Sequence, residues 1–352
     1  MTDESAQPQR NGTLRPTLEA VAELAGVSRA TVSRVVNGGT GVRATLRDRV
    51  QRAVEELGYV PNQAARTLVT RRNDAVAVVV AEPESRVFSD PFFAQQLRGI
   101  GKELSAADSQ LVLLLVEDSG DYQRVGRYLA GGHVDGALLF SLHQDDPLPA
   151  MAHRVGLPTV IGGRPWAATD RDQLYVDTDN RGGARLAVGH LAALGRRCIA
   201  TITGPLDQTS AADRLDGYRD ILPDGDPQLI AESDFTQEGG GRAMAELLAR
   251  RPDLDAVFAA SDLMASAALR VLREHGRRVP QDVAVVGFDD LESVAAWTDP
   301  PLTTVRQDIE DMGRLMARLL LRRLSHDGGA DAARHSPASV ITPTRLVVRA
   351  TA

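Results

Sequence analysis

The stretch TLEAVAELAGVSRATVSRVV, from Thr17 to Val36, decides how the first part of the chain folds. On both sides of Gly26 its apolar residues recur with the spacing of one face of an α-helix. Thr17 and Ser28 each stand where an N-cap residue accepts a hydrogen bond from the first turn of a helix. Because glycine adopts a positive φ at little cost, Gly26 can make a tight turn. The stretch therefore predicts a helix-turn-helix, with one helix before Gly26 and one after Ser28.

A third helix, from about Thr45 to Leu57, would complete a small bundle around a valine-rich core. The second helix then carries small, hydroxyl and basic side chains on its outer face, at Arg29, Ala30, Ser33 and Arg34. An arginine guanidinium can bind guanine in a bidentate way, and serine and threonine hydroxyls can reach bases or phosphates. These positions alone leave two interpretations open: a reader of the DNA major groove, or an ordinary three-helix bundle with a solvated basic face.

The charge of the chain is unevenly distributed. Residues 13–72 contain ten arginines and five acidic residues, whereas the whole chain carries a formal charge of −7. A basic segment on an acidic remainder favours a polyanionic partner for that segment alone. The single cysteine, Cys198, excludes an intramolecular disulfide and a cysteine-rich metal site, and its apolar neighbours predict an inert core thiol.

The rest of the sequence alternates between short apolar runs and amphipathic stretches. Repeated strand–helix units predict parallel sheets with helices on both faces. Because a chain of 352 residues exceeds what one ordinary core holds, we expect two doubly wound lobes rather than one sheet. The predicted strands are Ala75–Ala81, Leu111–Val116, Val134–Phe140, Thr159–Ile161, Ile199–Ile202, Ala256–Ala260 and Val283–Val286.

Several classes of protein are disfavoured. Residues 1–10 lack the apolar core of a secretory signal, and no apolar run approaches the ~18 residues that span a bilayer, so we expect a cytoplasmic protein with no membrane partner. The glycines of Glu238–Arg242 lack the spacing of a phosphate-binding loop, and no HExxH or GxSxG motif is present. We therefore expect no enzymatic activity, no cofactor and no metal.

Three stretches carry a resemblance to a known family: VAELAGVS (21–28), TVSRVVN (31–37) and ELGYVPN (56–62). With later matches such as LTTVRQD (302–308), the chain resembles the lactose-repressor (LacI/GalR) family of bacterial regulators from about residue 17 onward. The resemblance implies an N-terminal all-α helix-turn-helix domain and an α/β core of two doubly wound parallel-sheet lobes, like a type I periplasmic binding protein. It also implies a homodimer on a pseudo-palindromic operator of double-stranded DNA.

The same resemblance gives domain boundaries. It places crossovers between the lobes near 176–178, 298–301 and 336–341, and a dimer contact near Phe88–Gly101 and Gly120–Ala130. Because further C-terminal leucine heptads are absent, we expect a dimer rather than a tetramer. The expected segments are a disordered arm (1–12), the helix-turn-helix domain (13–60), a hinge helix and linker (61–73), the N-terminal lobe (74–176 and 302–336) and the C-terminal lobe (177–301 and 337–352).

The family's DNA contacts carry over position by position. The helix after Ser28 would enter the major groove, and Leu68 would insert into the minor groove from a hinge helix. The alternative for this segment is a linker without a DNA contact. Arg43 replaces the serine usual in the family, which puts the usual cap in doubt, although Arg43 could itself contact a phosphate. The expected DNA-binding residues are Thr17, Ser28, Arg29, Ala30, Thr31, Ser33, Arg34, Asn37, Arg43, Tyr59, Asn62, Ala65 and Leu68.

The expected effector site lies between the lobes, at the C-terminal ends of strands. Asp289 is the foremost candidate for a hydroxyl acceptor, the guanidinium of Arg214 suits vicinal hydroxyls, and Phe235 falls where relatives place a pocket aromatic. Asp262 could instead cap a helix. The expected effector-binding residues are Asp90, Phe92, Phe93, Arg164, Arg214, Phe235, Ser261, Asp262 and Asp289.

Together these features predict a sequence-specific DNA-binding transcriptional regulator, a repressor, whose operator affinity is controlled by a small-molecule effector. The combination of a carboxylate, a guanidinium and an aromatic ring favours a sugar over a purine. Two alternatives stay open: a sugar-binding transport protein with the same body fold, and a regulator that responds to a purine or another metabolite as corepressor.

Overall fold

The computed structural model describes residues 16–36, 39, 41–60, 72–166, 173–326 and 339–352. The chain divides into two compact units between Asn73 and Asp74. We call them the head and the body. The expected arm (1–12) and nearly all of the expected hinge segment (61–73) lie outside the described residues.

The head contains three helices, α1 (Leu18–Ala25), α2 (Arg29–Val36) and α3 (Ala44–Leu57). The Thr17 side chain accepts a hydrogen bond from the backbone of Ala20, and Gly26 ends α1 with a φ of 60°. The predicted helix-turn-helix is therefore confirmed, with α3 beginning one residue earlier than expected. Arg43 is the N-cap residue of α3 and makes no side-chain capping hydrogen bond.

Packing holds the three helices together. Val21, Val32 and Val50, one from each helix, have no exposed surface. Arg49 of α3 donates a hydrogen bond of 2.6 Å to the backbone oxygen of Ala25, at the C-terminus of α1. A cation at that position pairs with carbonyl groups that the helix leaves without partners.

The first sheet of the body is parallel throughout its described strands, which lie in the order β11-β5-β4-β3-β1-β2. Its helices are α4 (Glu84–Ser89), α5 (Pro91–Ala106), α6 (Ser119–Ala130) and α7 (Leu148–Arg154). Its strands are β1 (Ala75–Val80), β2 (Gln110–Leu115), β3 (Gly136–Phe140), β4 (Thr159–Gly162), β5 (Leu174–Thr178) and β11 (Val340–Thr342).

The second sheet has the order β12-β10-β9-β8-β6-β7 and is parallel except for the pairing of β12 with β10. Its strands are β6 (Ile199–Thr203), β7 (Ile230–Glu232), β8 (Ala256–Ala259), β9 (Ala284–Asp289), β10 (Thr303–Arg306) and β12 (Arg345–Val347). Its helices are α8 (Asn180–Ala193), α9 (Thr209–Ile221), α10 (Gln237–Arg250), α11 (Asp262–Glu274) and α12 (Glu292–Ala295).

The crossovers differ in detail from the expected ones. Strand β10, expected in the first lobe, pairs with β9 in the second sheet, so the chain returns only with α13 (Ile309–His326), which packs on α5. Strand β11 lies in the first sheet, although 337–352 was expected in the second lobe. These two placements were wrong because a short apolar strand shows that it is buried without showing which sheet buries it.

Each sheet is covered by buried apolar clusters on both faces, as parallel sheets require. In the first lobe, Val78 and Val79 of β1 belong to different clusters, because successive side chains of a strand point to opposite faces. In the described part of the chain, no helix has both the length and the apolar character needed to cross a membrane. The same residues hold no cluster of side chains suited to a metal ion.

Candidate functional site

The outer face of α2 is open to a partner. Arg29, Ala30 and Arg34 are exposed, as the sequence predicted, and Ser33 is half-buried. The guanidinium of Arg29 lies 3.0 Å from the carboxylate of Glu19, which restrains it against α1. Arg34 lies five residues beyond Arg29 on this eight-residue helix, and both side chains are exposed.

The flanking DNA candidates divide into three groups. Thr17, Ser28 and Arg43 are exposed, and Ser28 Oγ accepts a hydrogen bond from the backbone of half-buried Thr31. Tyr59 differs from expectation, because it is only 8% exposed and packs in the apolar core of the head. Four expected residues lie outside the described part of the chain: Asn37, Asn62, Ala65 and Leu68.

In the body, a cavity lies between the two lobes. It has an empty volume of about 780 Å³, its open mouth included. Residues at the C-terminal ends of β3, β5 and β9 line it, as expected for a ligand site in parallel sheets. Seven of the nine expected effector residues line this cavity: Asp90, Phe92, Phe93, Arg214, Phe235, Ser261 and Asp289.

The other two expected residues lie elsewhere. Asp262 is fully buried beside the cavity, where its carboxylate accepts hydrogen bonds from the backbone of Leu291 and the hydroxyl of Thr304. Those bonds fix the start of α11 against β10, so Asp262 has a structural role. Arg164 does not line the cavity and instead forms a two-point ion pair with Asp213 of the second lobe, at 3.2 and 2.8 Å.

One residue of the cavity wall is a buried arginine, Arg214. Arg214 Nε donates a hydrogen bond of 2.9 Å to Asn180 Oδ1, and its guanidinium stacks 3.7 Å from the ring centroid of Phe288. Phe235 lies farther away, at 5.9 Å. Burial lowers the pKa of Arg214, and the carboxylate of Asp289 opposes that shift. Arg214 is therefore a buried side chain of the cavity and not an exposed charge on the surface of its helix.

Asp289 ends β9 beside this arginine. Its Oδ1 accepts a hydrogen bond of 2.5 Å from Gln307 Nε2. Burial raises the pKa of Asp289 to about 7, and Arg214 limits the shift. An aspartate with such a pKa can accept or donate a hydrogen bond near neutral pH.

Two further carboxyl groups belong to the cavity. Asp90 caps α5 through the backbone of Phe92, at 2.9 Å, and burial raises its pKa. Asp177, which the sequence did not indicate, accepts a hydrogen bond of 3.0 Å from Asn180, and burial raises its pKa to about 6. Carboxyl groups from both lobes therefore face one space.

The backbone around the cavity is locally strained. Ser141, Phe235 and Asp289 all line it and all have a positive φ, of 55°, 63° and 113°. Non-glycine residues adopt this region at a cost, and such residues concentrate at functional sites.

Contacts also join the two lobes beside the cavity. Glu82 of the first lobe is 4% exposed and accepts hydrogen bonds from Ser141, at 2.6 Å, and from Gln208 of the second lobe, at 2.8 Å. His143 Nδ1 lies 2.8 Å from a carboxylate oxygen of Asp207. These contacts hold the lobes together over the cavity.

Sequence reasoning missed several polar residues that line the cavity. Gln307 directly follows β10 within the matched stretch LTTVRQD, and Asn180 opens α8 shortly after β5, so their positions after strands were available as a signal. Helical positions gave no comparable signal, because a polar residue on a helix usually faces solvent. The missed residues are Arg86, Gln96, Ser141, Asp177, Thr178, Asn180, Gln208, Thr209, Ser210 and Gln307.

Comparison with protein families assigns both units. Residues 17–62 match the bacterial regulatory proteins of the lacI family, and residues 188–352 match a periplasmic binding protein-like domain. The first match contains the three helices of the head. The second contains most of the second lobe together with α13.

Individual proteins match over nearly the whole chain. The HTH-type transcriptional regulator CelR of Thermobifida fusca is 52% identical over 95% of this chain and 98% of its own length. A structure described as a transcriptional regulator CelR–cellobiose complex is 49% identical, covers 96% of this chain and all of its own, and has a TM-score of 0.75. The lac repressor dimer bound to operator and an anti-inducer is 28% identical over 96% of this chain and 99% of its own, with a TM-score of 0.82. The chain therefore belongs to the lacI family of bacterial regulatory proteins and is a DNA-binding transcription regulator controlled by an effector.

Proposed function

We propose that this chain represses transcription by binding a pseudo-palindromic operator as a homodimer, and that a saccharide in the body cavity controls this binding. The observation that carries the proposal is the pairing of Arg214 with Asp289 in a cavity that also holds an aromatic ring and several side-chain amides. A guanidinium, carboxylates and amides bind hydroxyl groups, and an aromatic face packs against the C–H face of a sugar ring.

A sugar can form hydrogen bonds with more of the polar groups that line the cavity than a purine can. The polar groups come from both lobes: Asp90 and Ser141 from the first, Asn180, Arg214 and Asp289 from the second. A saccharide ring carries hydroxyls around its whole edge and can meet all of them. The relative whose structure is described as a complex with cellobiose supports a disaccharide as the first candidate.

The head would supply the DNA contacts. The exposed side chains of Arg29, Ala30 and Arg34 would read base edges in the major groove, while Thr17, Ser28 and Arg43 would contact phosphates. Two copies of the head would bind the two half-sites, in the cytoplasm where operator DNA lies. The match of residues 17–62 to the lacI family favours this function over a transport protein with the same body.

Effector control would act through lobe arrangement. A ligand can shift an equilibrium only by binding one arrangement better than another, and here the cavity wall is built from both lobes. Closing or opening the lobes would change the affinity of the heads for the operator. Such coupling would let one saccharide alter operator affinity.

Two measurements test the proposal. Thermal denaturation of the full chain with cellobiose, ribose, guanine and hypoxanthine should show a rise in Tm with a saccharide. A mobility-shift titration on DNA from upstream of the chain's own gene should show salt-sensitive binding whose midpoint that saccharide changes. A rise in Tm with purines alone would contradict the saccharide, and the absence of sequence-preferring DNA binding would contradict the regulator.

A further inference from the structure

The first-lobe wall of the cavity contains two buried polar atoms that lack a hydrogen-bond partner within the described residues. They are Oε1 of Gln96 and Nε of Arg86. Both residues line the cavity, and Gln96 is only 3% exposed. A buried polar group without a partner is costly to the folded protein, so its presence at a ligand cavity points to a partner that arrives with the ligand.

Gln96 is the one polar residue on the buried face of α5. The buried face of α5 otherwise consists of Phe93, Gly99, Ile100 and Leu104, which are apolar or lack a side chain. The hydrophobic pattern of that face calls for an aliphatic residue at 96. The Oε1 atom of Gln96 accepts no hydrogen bond from the described residues, so it does not stabilise the ligand-free fold.

The backbone around Gln96 is held tightly. A Cβ on Gly313 of α13 would lie 2.3 Å from the backbone oxygen of Gln96, and a Cβ on Gly99 would lie 2.0 Å from the backbone oxygen of Glu310. The two helices therefore approach each other through glycines on both sides. This close contact fixes the point from which the Gln96 side chain reaches into the cavity.

Arg86 reaches the same wall from α4. Its Nη1 forms an ion pair with Glu82, and its guanidinium lies 5.8 Å from the ring centroid of Phe93 and 5.3 Å from that of Phe235. Phe235 belongs to the second lobe, so Arg86 spans the space between the lobes. Its Nε is a buried donor without a partner among the described residues and can therefore serve a ligand.

We propose that Gln96, with Arg86 beside it, binds hydroxyl groups of the effector on its first-lobe side. The inference rests on the proposed function and adds to it a determinant of specificity. Together with Arg214 and Asp289 on the second lobe, these residues select a ligand with hydroxyls on opposite edges, which is the chemistry of a saccharide ring. A ligand with one apolar edge leaves the Gln96 amide unpaired and is disfavoured.

The test replaces Gln96 by leucine, which has a similar size and no polar group. Gln96→Leu should leave the Tm of the ligand-free protein unchanged or raise it, because it removes an unpaired polar atom. Its Kd for cellobiose, measured by calorimetry, should rise roughly 10-fold or more. The control is Gln95→Leu, the neighbouring change on α5 at a residue that does not line the cavity, and its Kd should match the wild type.

Each result decides between the alternatives. A Gln96→Leu protein that binds cellobiose as the wild type does would overturn the inference alone. So would a variant whose ligand-free Tm falls as its affinity falls, because Gln96 would then have a structural role. A wild-type protein that binds no saccharide would contradict the proposed function as well, and if another saccharide raises the Tm more than cellobiose, it becomes the probe for the same comparison.

Discussion

Arg214 Nη1 lies 3.7 Å from Asp289 Oδ1, in an ion pair whose two side chains are each only 7% exposed. At that separation the two groups attract each other without a direct hydrogen bond, so both keep capacity for a third partner. The pair is therefore suited to holding a hydroxyl group of a ligand between two opposite charges.

Asp289→Ala should abolish the effector response while leaving operator affinity in the ligand-free state largely intact. Hydrogen bonds to charged groups contribute about 1.5–3 kcal/mol each, so the Kd for cellobiose should rise by roughly one to two orders of magnitude. Calorimetry and mobility shift measure the two affinities. The control is Asp299→Ala, at a side chain that is 96% exposed. Loss of DNA binding in Asp289→Ala would show that this aspartate is structural.

Asp289 and Asp177 should each contribute a loss of stability to the ligand-free protein as the pH rises from about 4 to about 7. Burial raises the folded-state pKa of Asp289 to about 7 and that of Asp177 to about 6, above the ordinary value of 3.8. Between those values the folded state binds more protons than the unfolded state, so raising the pH favours unfolding.

The Asp289→Asn variant lacks the carboxyl group that binds one of these protons in the folded state. The variant should be more stable than the wild type at pH 8, by at least about 1 kcal/mol or about 2–4 °C in Tm, and this difference should shrink toward pH 5. Thermal denaturation across that range measures it. A difference in Tm that is the same at both pH values would contradict the raised pKa of Asp289.

Much of this site could be predicted from the sequence, because its strand ends are marked by composition. Asp289 and Ser261 each follow a buried apolar run, and the ends of parallel strands meet at one edge of a sheet. The helices of the head were predicted to within one residue because caps and a glycine mark their ends.

What could not be predicted depends on contacts that sequence spacing does not encode. From the sequence alone, Gln96 is predicted to be an exposed polar residue of a helix. Its burial follows from the packing of α5 on α13. Asp262 follows β8 and Asp289 ends β9, yet the first binds Thr304 and the second lines the cavity. The sheet that holds β10 is likewise decided by its pairing with β9 rather than by its own composition.

Arg34→Ala should weaken binding to the specific operator by about 1–3 kcal/mol if Arg34 binds a base edge. Arg34 is exposed on α2, whereas Arg29 on the same helix is restrained by Glu19. Mobility-shift titrations on the operator and on a scrambled duplex of the same length separate specific from non-specific binding. An equal loss on both duplexes would indicate a phosphate contact, and no loss would remove Arg34 from the DNA-reading residues.

Phe88→Ser should weaken the expected homodimer. Phe88 ends the apolar part of α4 with a side chain that is 68% exposed, within the surface expected to contact the partner. Burying a phenylalanine contributes about 1.5–3 kcal/mol, so its loss should raise the dimer dissociation constant about 10-fold or more. Sedimentation velocity over a range of concentrations measures that constant.

The matched control is Val155→Ser, at an apolar residue that is 47% exposed and lies outside that surface. If Val155→Ser dissociates the dimer and Phe88→Ser does not, the dimer uses a different face of the body. The variant that yields monomers should also bind the operator more weakly, because a single head contacts only one half-site.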